Sequence, residues 1–144
     1  METRTRRLNP DSLHQTPGYH HITVVEAGRM AFLAGQCPLD RAGNVVGGAS
    51  HEMQADQVAE NALAALAAVS ARPEDVVRSV IYVVSDDERV LGAVWRRLHA
   101  SALGPAFTSA STLLGVAKLG FPGQLVEIDL TAALPDSTGP AGSR

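Results

Sequence analysis

Apolar residues recur along this chain with a period that changes several times, and each change marks an element. His21 to Val25 is short and β-branched, Glu26 to Arg29 supplies a glycine-containing turn, and Met30 to Ala34 is a continuous apolar run. Two such runs about a turn predict a hairpin. Gly35 to Gly48 carries four glycines and a proline, with Val45 and Val46 in its middle, and reads as a loop with at most one short strand. From Ser50 to Val69 the apolar residues Ala55, Val58, Ala59, Ala62, Leu63, Leu66 and Val69 fall on one helix face, with Asp56 and Glu60 on the other. Ser50 is its expected cap, Glu52 suits the positive end of the helix dipole, and Arg72–Pro73 closes it.

Val76 to Val84 is dense in β-branched residues and predicts a strand buried on both faces or nearly so. Ser85 and Glu88 form a capping-box pattern that opens a second helix, with Val90, Leu91, Val94, Leu98 and Ala102 on one side and Gly104–Pro105 at its end. Two more strands follow, Thr112 to Ala117 and Leu125 to Ala133, separated by a turn at Gly120 to Gly123. The order ββ(β)αβαββ describes an α+β domain with two helices on one face of a mixed sheet. Two helices leave the other face bare, so a homo-oligomer is expected.

Composition narrows the function classes. At 144 residues the chain has room for one domain that buries roughly two-thirds of its unfolded surface. The residues before Pro17 read as a flexible arm with a loose basic start, residues 17–134 as the domain, and Pro135 to Arg144 as a disordered Pro, Gly and Ser tail. Aromatic residues make up 4% and the net charge is −3, which leaves few stacking platforms and no field favouring a phosphate backbone. Nucleic acid is therefore not an expected partner. No apolar run is long enough to span a bilayer, and the three arginines of Met1 to Arg7 precede no apolar h-region. One cysteine, Cys37, excludes an internal disulfide, and a reducing, cytoplasmic setting is expected.

Several residue groups are candidates for chemistry. Glu127 and Asp129 are two apart on the last strand and share a face at about 7 Å. Paired carboxylates can move protons, although this face can equally be a solvated surface beside the apolar face of Val126, Ile128 and Leu130. His20 and His21 are adjacent, so their rings face opposite sides and cannot chelate one metal together. The remaining histidines have no ligand spacing, and no metal site is expected. Cys37 has neither a base nor an oxyanion donor nearby in sequence and reads as a plain loop thiol. Gly47–Gly48 precedes a helix start but lacks the other residues of a phosphate cradle. Tyr19, before the first strand, offers an apolar wall with a hydroxyl, and Ser111 and Thr112 open the fifth strand with two more.

The order of short motifs resembles the reactive-intermediate deaminase family, also called Rid or YjgF. They are PGYHH at Pro17 to His21, AGQCPLD at Ala34 to Asp40, AENALAAL at Ala59 to Leu66, PEDVVRSVIYVV at Pro73 to Val84, and STLLGVAKLGFPGQLVEIDL at Ser111 to Leu130. The resemblance spans about Pro17 to Leu134. It implies a chorismate-mutase-like α+β subunit in a homotrimer, with sheets inside, helices outside and a ligand cleft at each subunit interface. It also implies cofactor-free hydrolysis of reactive enamines and imines from amino acids to keto acids and ammonia. Carried over, the water-positioning glutamate is Glu127, the pocket tyrosine is Tyr19, and the loop is Gly35 with Gln36.

The family's carboxylate-clamping arginine is missing, and Ser111 stands in its place. Loss of a charge-assisted fork removes roughly 1.5–3 kcal/mol per hydrogen bond from carboxylate recognition. Lys118, seven residues on, is not expected to reach the same spot. Other departures are His20 for a common serine, and Gly92 and Trp95 where the second helix often carries asparagine and tyrosine. Two functions are compatible with this pattern. One is a hydrolase or cyclase for a small reactive imine or enamine, with Glu127 handling protons, Tyr19 and His20 or His21 assisting, and Gly35, Gln36, Ser111, Thr112 and Trp95 in contact with substrate. The other is a non-catalytic trimer that binds small metabolites or proteins. Ribonuclease action, known among relatives, has no support in the basic or aromatic composition.

Overall fold

The computed structural model of the protein describes residues 4–136. In chain order the elements are β1 (Thr5–Leu8), β2 (Ile22–Val25), β3 (Met30–Phe32), α1 (His51–Ala68), β4 (Val76–Val84), α2 (Glu88–Ala100), β5 (Ala110–Val116) and β6 (Val126–Ala133), with 3-10 turns at Pro73–Asp75 and Gly104–Thr108. The main sheet has the order β3-β6-β4-β5, with β4 and β5 parallel and the other pairs antiparallel. It is a mixed sheet in an α+β domain, as the element order implies.

Both helices lie on one face of that sheet. Val58, Ala62 and Leu66 of α1 and Val94 and Leu98 of α2 join Ile81, Val83, Val126, Ile128 and Leu130 in one buried core. Ser50 caps α1, its side chain accepting from Met53 N at 3.0 Å. Gln54, fully buried in the first turns of α1, donates to Gly48 O (2.8 Å) and Gly123 O (2.9 Å) and accepts from Leu125 N (2.7 Å). One side chain thus binds the helix start to two loops. Asn61 of the same helix donates to the carbonyls of Cys37 and Leu39, both at 2.9 Å, and fixes the loop after β3.

Three expectations are corrected. β2 and β3 do not pair as a hairpin: β2 pairs with β1 in a separate two-stranded sheet, and β3 pairs with β6. Arg4 holds this arrangement, since its guanidinium donates to Glu26 O (3.1 Å), Arg29 O (3.3 Å) and Leu134 O. The same guanidinium lies 2.5 Å from where a Cβ on Gly28 would stand, so it fills the turn itself. Part of the expected flexible arm is therefore a strand, Thr5–Leu8, with Arg7 bonded to Val76 O at 2.8 Å. Thirdly, α2 is capped by Asp87, which accepts from Arg89 N, while Ser85 Oγ accepts from Asp87 N one step earlier. A carboxylate two residues closer to the helix displaces the Ser85–Glu88 box. The tail expected over Pro135 to Arg144 lies, from residue 137 on, outside the described residues.

The sheet face away from the helices is open. Core-facing Val76, Ser79, Ile81 and Val83 of β4 are buried, whereas Arg78 is exposed and Val80, Tyr82 and Val84 are half-buried. Burial on both faces, expected for this strand, is not reached within one chain. Phe32 on the same open face is 79% exposed.

Candidate functional site

The sequence-predicted residues gather in two places, set by strand parity. Residues directly opposite each other in a sheet share a face. Glu127 pairs with Tyr82, and Asp129 with Val80, on the open face. Ser111 pairs with buried Ser79 on the helix side of β5, the edge strand.

The first place is a cleft of about 460 Å³ between the β5 edge, α2 and the Pro17–Tyr19 segment. Tyr19, Trp95, Ser111 and Thr112 line it together with Gly92 and Leu113. Trp95 donates its indole N–H to Pro17 O at 3.1 Å, which ties the Tyr19 segment to α2, and its ring meets Tyr19 edge-on at 6.1 Å. Ser111 Oγ lies 3.2 Å from Phe107 O and 3.1 Å from Ser109 O and also bonds the Ser79 hydroxyl. Its polar group is turned into the protein.

His20 and His21 hold the approach to this cleft. His20 Nδ1–H donates to Thr108 O and its backbone N–H to Ser109 O, joining β2 to the head of β5. His21 Nε2–H donates to His14 O at 2.9 Å. The imidazole that reaches the Tyr19 hydroxyl is that of His14, 3.4 Å away. His14 was not singled out by sequence, and only the fold of the preceding loop brings it there.

The second place surrounds Glu127. Gly35 lies so close beneath its carboxylate that a Cβ there would come within 1.9 Å of Oε2. Gln36 exchanges backbone hydrogen bonds with Ile128 (2.7 and 3.1 Å), extending β3 past the carboxylate. Gln124, almost fully buried, donates from Nε2 to Glu127 Oε1 at 3.1 Å. The Cys37 thiol points at the same oxygen from 3.6 Å. Burial, and then the Glu127 charge, raise the Cys37 thiol above its ordinary range. A carboxylate is therefore beside this cysteine, although sequence proximity offered none. Gln124 was likewise missed, hidden in a turn that reads only as Gly-Phe-Pro-Gly followed by a strand.

One cation stands near the position of the missing arginine. Arg78, the single charged residue within β4, donates to Thr112 Oγ1 (2.8 Å) and Ala110 O (3.1 Å) at the head of β5. It reaches them from the open face, opposite to Ser111. Lys118 lies beyond the end of β5. Among the described residues no group of three or more His, Cys, Asp or Glu side chains could hold a metal, and no helix is long and apolar enough to cross a membrane.

A mixed four-stranded sheet with two helices on one face and a cleft at its edge strand defines a single-domain α+β protein of the YjgF-like type. The model of the endoribonuclease L-PSP family matches residues 11–134, and the chain belongs to that family, which includes the YjgF and Rid proteins. The structure is similar to that of the Rid-family protein YyfB from Yersinia pestis, with 30% identity, a TM-score of 0.79, and coverage of 92% of this chain and 100% of that one. A YjgF-family member from Neisseria meningitidis matches at 23% identity and a TM-score of 0.57, over 92% of this chain and 97% of its own. Yeast Mmf1 matches at 18% identity and 0.60, over 90% and 94%. These last two bear on the fold alone. No curated protein matches the sequence.

Proposed function

We propose that this protein is a cytoplasmic homotrimer whose interface clefts hydrolyse a small imine or enamine without a cofactor. The observation that carries this reading is the separation of its two half-sites. Tyr19, Trp95 and Ser111 belong to a cleft on the helix side of β5, whereas Glu127, Gly35 and Gln36 belong to the open face, to which the Thr112 side chain at the rim of the cleft also turns. Among the described residues no hydrogen bond or ring contact joins the two groups. A second copy packed on the open face would bring its Glu127 to the cleft of the first.

In that arrangement Glu127, oriented by Gln124 and Gly35, takes a proton from water as the water oxygen bonds to the imine carbon. The C=N electron pair takes up a proton at nitrogen, and Tyr19 with His14 is placed to supply it. Collapse of the carbinolamine returns its hydroxyl proton to Tyr19 and the Glu127 proton to the leaving nitrogen, so that the C–N bond breaks, ammonia leaves and the carbonyl product remains. Ammonia release from a panel of freshly generated imines tests this reading. General acid–base groups contribute on the order of 10²–10⁴ in rate, so Glu127→Gln is expected to lower kcat/KM by about 100-fold or more. Equal rates in variant and wild type across the panel would discard hydrolysis. The inward-turned Ser111 hydroxyl favours the second reading, a trimer that binds a small metabolite without converting it. That trimer would bind through the same clefts and not through nucleic acid.

A further inference from the structure

We infer that the cleft beside Trp95 takes an uncharged planar ligand, held by ring contact and one hydrogen bond, and rejects a free carboxylate. The inference rests on this cleft being the ligand site proposed above and assigns its substrate class. Few polar side chains of this chain are turned toward the cleft with hydrogen-bonding capacity to spare. The Trp95 indole N–H is taken up by Pro17 O, and Ser111 Oγ by Ser79, Phe107 O and Ser109 O. The Thr112 hydroxyl turns to the open face, where it accepts from Arg78. Leu113 and Pro17 are apolar, and Gly92 offers no side chain.

What remains is the Tyr19 hydroxyl, backed by His14 Nε2 at 3.4 Å. It is the polar side-chain head of a cleft walled by the half-buried Trp95 ring, and about 460 Å³ is room for a small ring compound. No residue that this chain contributes to the lining carries a charge. A carboxylate placed there would lose water without meeting a cationic side chain of this chain, and it would face the Glu127 carboxylate that the proposed second copy brings, which is costly. An amide, carbonyl or imine on a flat ring needs only the Tyr19 hydrogen bond. The guanidinium of Arg78 lies on the other face of the sheet, where it bonds the Thr112 hydroxyl.

Trp95 is the only tryptophan, so its emission reports this cleft directly and does not depend on turnover. Titration of the intact protein with benzamide and with benzoate, equal in shape and different in charge, tests the inference. Benzamide is expected to change Trp95 emission saturably, with benzoate at least about tenfold weaker. Gly92→Leu should abolish the response by filling the cleft. The added side chain meets first the mobile end of Arg96, at 3.2 Å from Nη1, and a helical glycine replaced by leucine gains helix propensity, so the variant folds. Benzoate binding as tightly as benzamide overturns the inference and, if lost in Arg78→Ala, transfers carboxylate recognition to Arg78. Absence of any emission change, or a response unaltered in Gly92→Leu, overturns it as well. Because binding alone is read, these results are separate from those of Glu127→Gln on imine hydrolysis.

Discussion

At the residue scale, Glu127 is defined less by its own strand than by what closes around it. Gly35 leaves the space in which the carboxylate lies, Gln124 donates to it, and the Cys37 thiol sits against the same oxygen. Its place on a strand face opposite Val126 and Ile128 is legible from alternation alone. Its neighbours are not, because Gly35, Cys37 and Gln124 are brought in by loops whose paths no period describes. The cysteine gives this cluster a measurable signature. The thiolate is the reactive form, and burial together with the Glu127 charge keeps the thiol protonated to higher pH than usual. Removing that charge lowers the thiol again. Alkylation of Cys37 by iodoacetamide near pH 8 should therefore be slow in the wild-type protein and several-fold faster in Glu127→Gln, given that a unit of pKa is a tenfold change in thiolate. An equal or slower rate in the variant would contradict the contact.

At the element scale, the helices and central strands were readable because their signals are local. The face of Ala55, Val58, Ala59, Ala62 and Leu66 predicts α1 and is buried, Leu63 at its edge is half-buried, and Val69, expected on the same face, is the exposed residue that ends the helix. The hairpin of β2 and β3 failed for a different reason. Two apolar runs about a turn specify strands but not partners, and here the partner of β2 is β1, which the basic residues of the chain start conceal. Arg4 and Arg7 look like solvated charges in sequence and serve as bonded posts between strands and loops. Gln54 is a similar case, a polar residue on the first turns of α1 whose amide joins three backbone groups. Gln54→Leu would leave Gly48 O, Gly123 O and Leu125 N–H without their partner. At roughly 1–3 kcal/mol for an unsatisfied buried group, and with partial relaxation, a loss of about 3 kcal/mol is expected in urea unfolding. A loss under about 1 kcal/mol would show that water reaches these groups.

At the scale of the whole molecule, the open sheet face is the feature that one chain does not complete. Phe32, Leu114 and the half-buried Val80 and Tyr82 lie there with Arg78, Asp129 and Glu127. The proposed trimer would cover this exposed apolar surface. With the proposed trimer, sedimentation should give about three times the 15.1 kDa of the chain. Phe32→Glu should lower that mass by placing a charge in the contact, while a wild-type protein that sediments as a monomer would remove the basis for a shared cleft. Sequence by itself determined the element types and order, the apolar core faces, and the family pattern from Pro17 to Leu134, because periodicity and motif spacing are properties of neighbouring residues. It also determined that Ser111 stands where an arginine is expected. Only the tertiary structure decided that the Ser111 hydroxyl turns inward, that Arg78 comes to the head of β5, and that Glu127 and Tyr19 lie on opposite sides of one sheet. Those facts depend on strand pairing and register, which join residues more than 30 positions apart and leave no trace in local spacing.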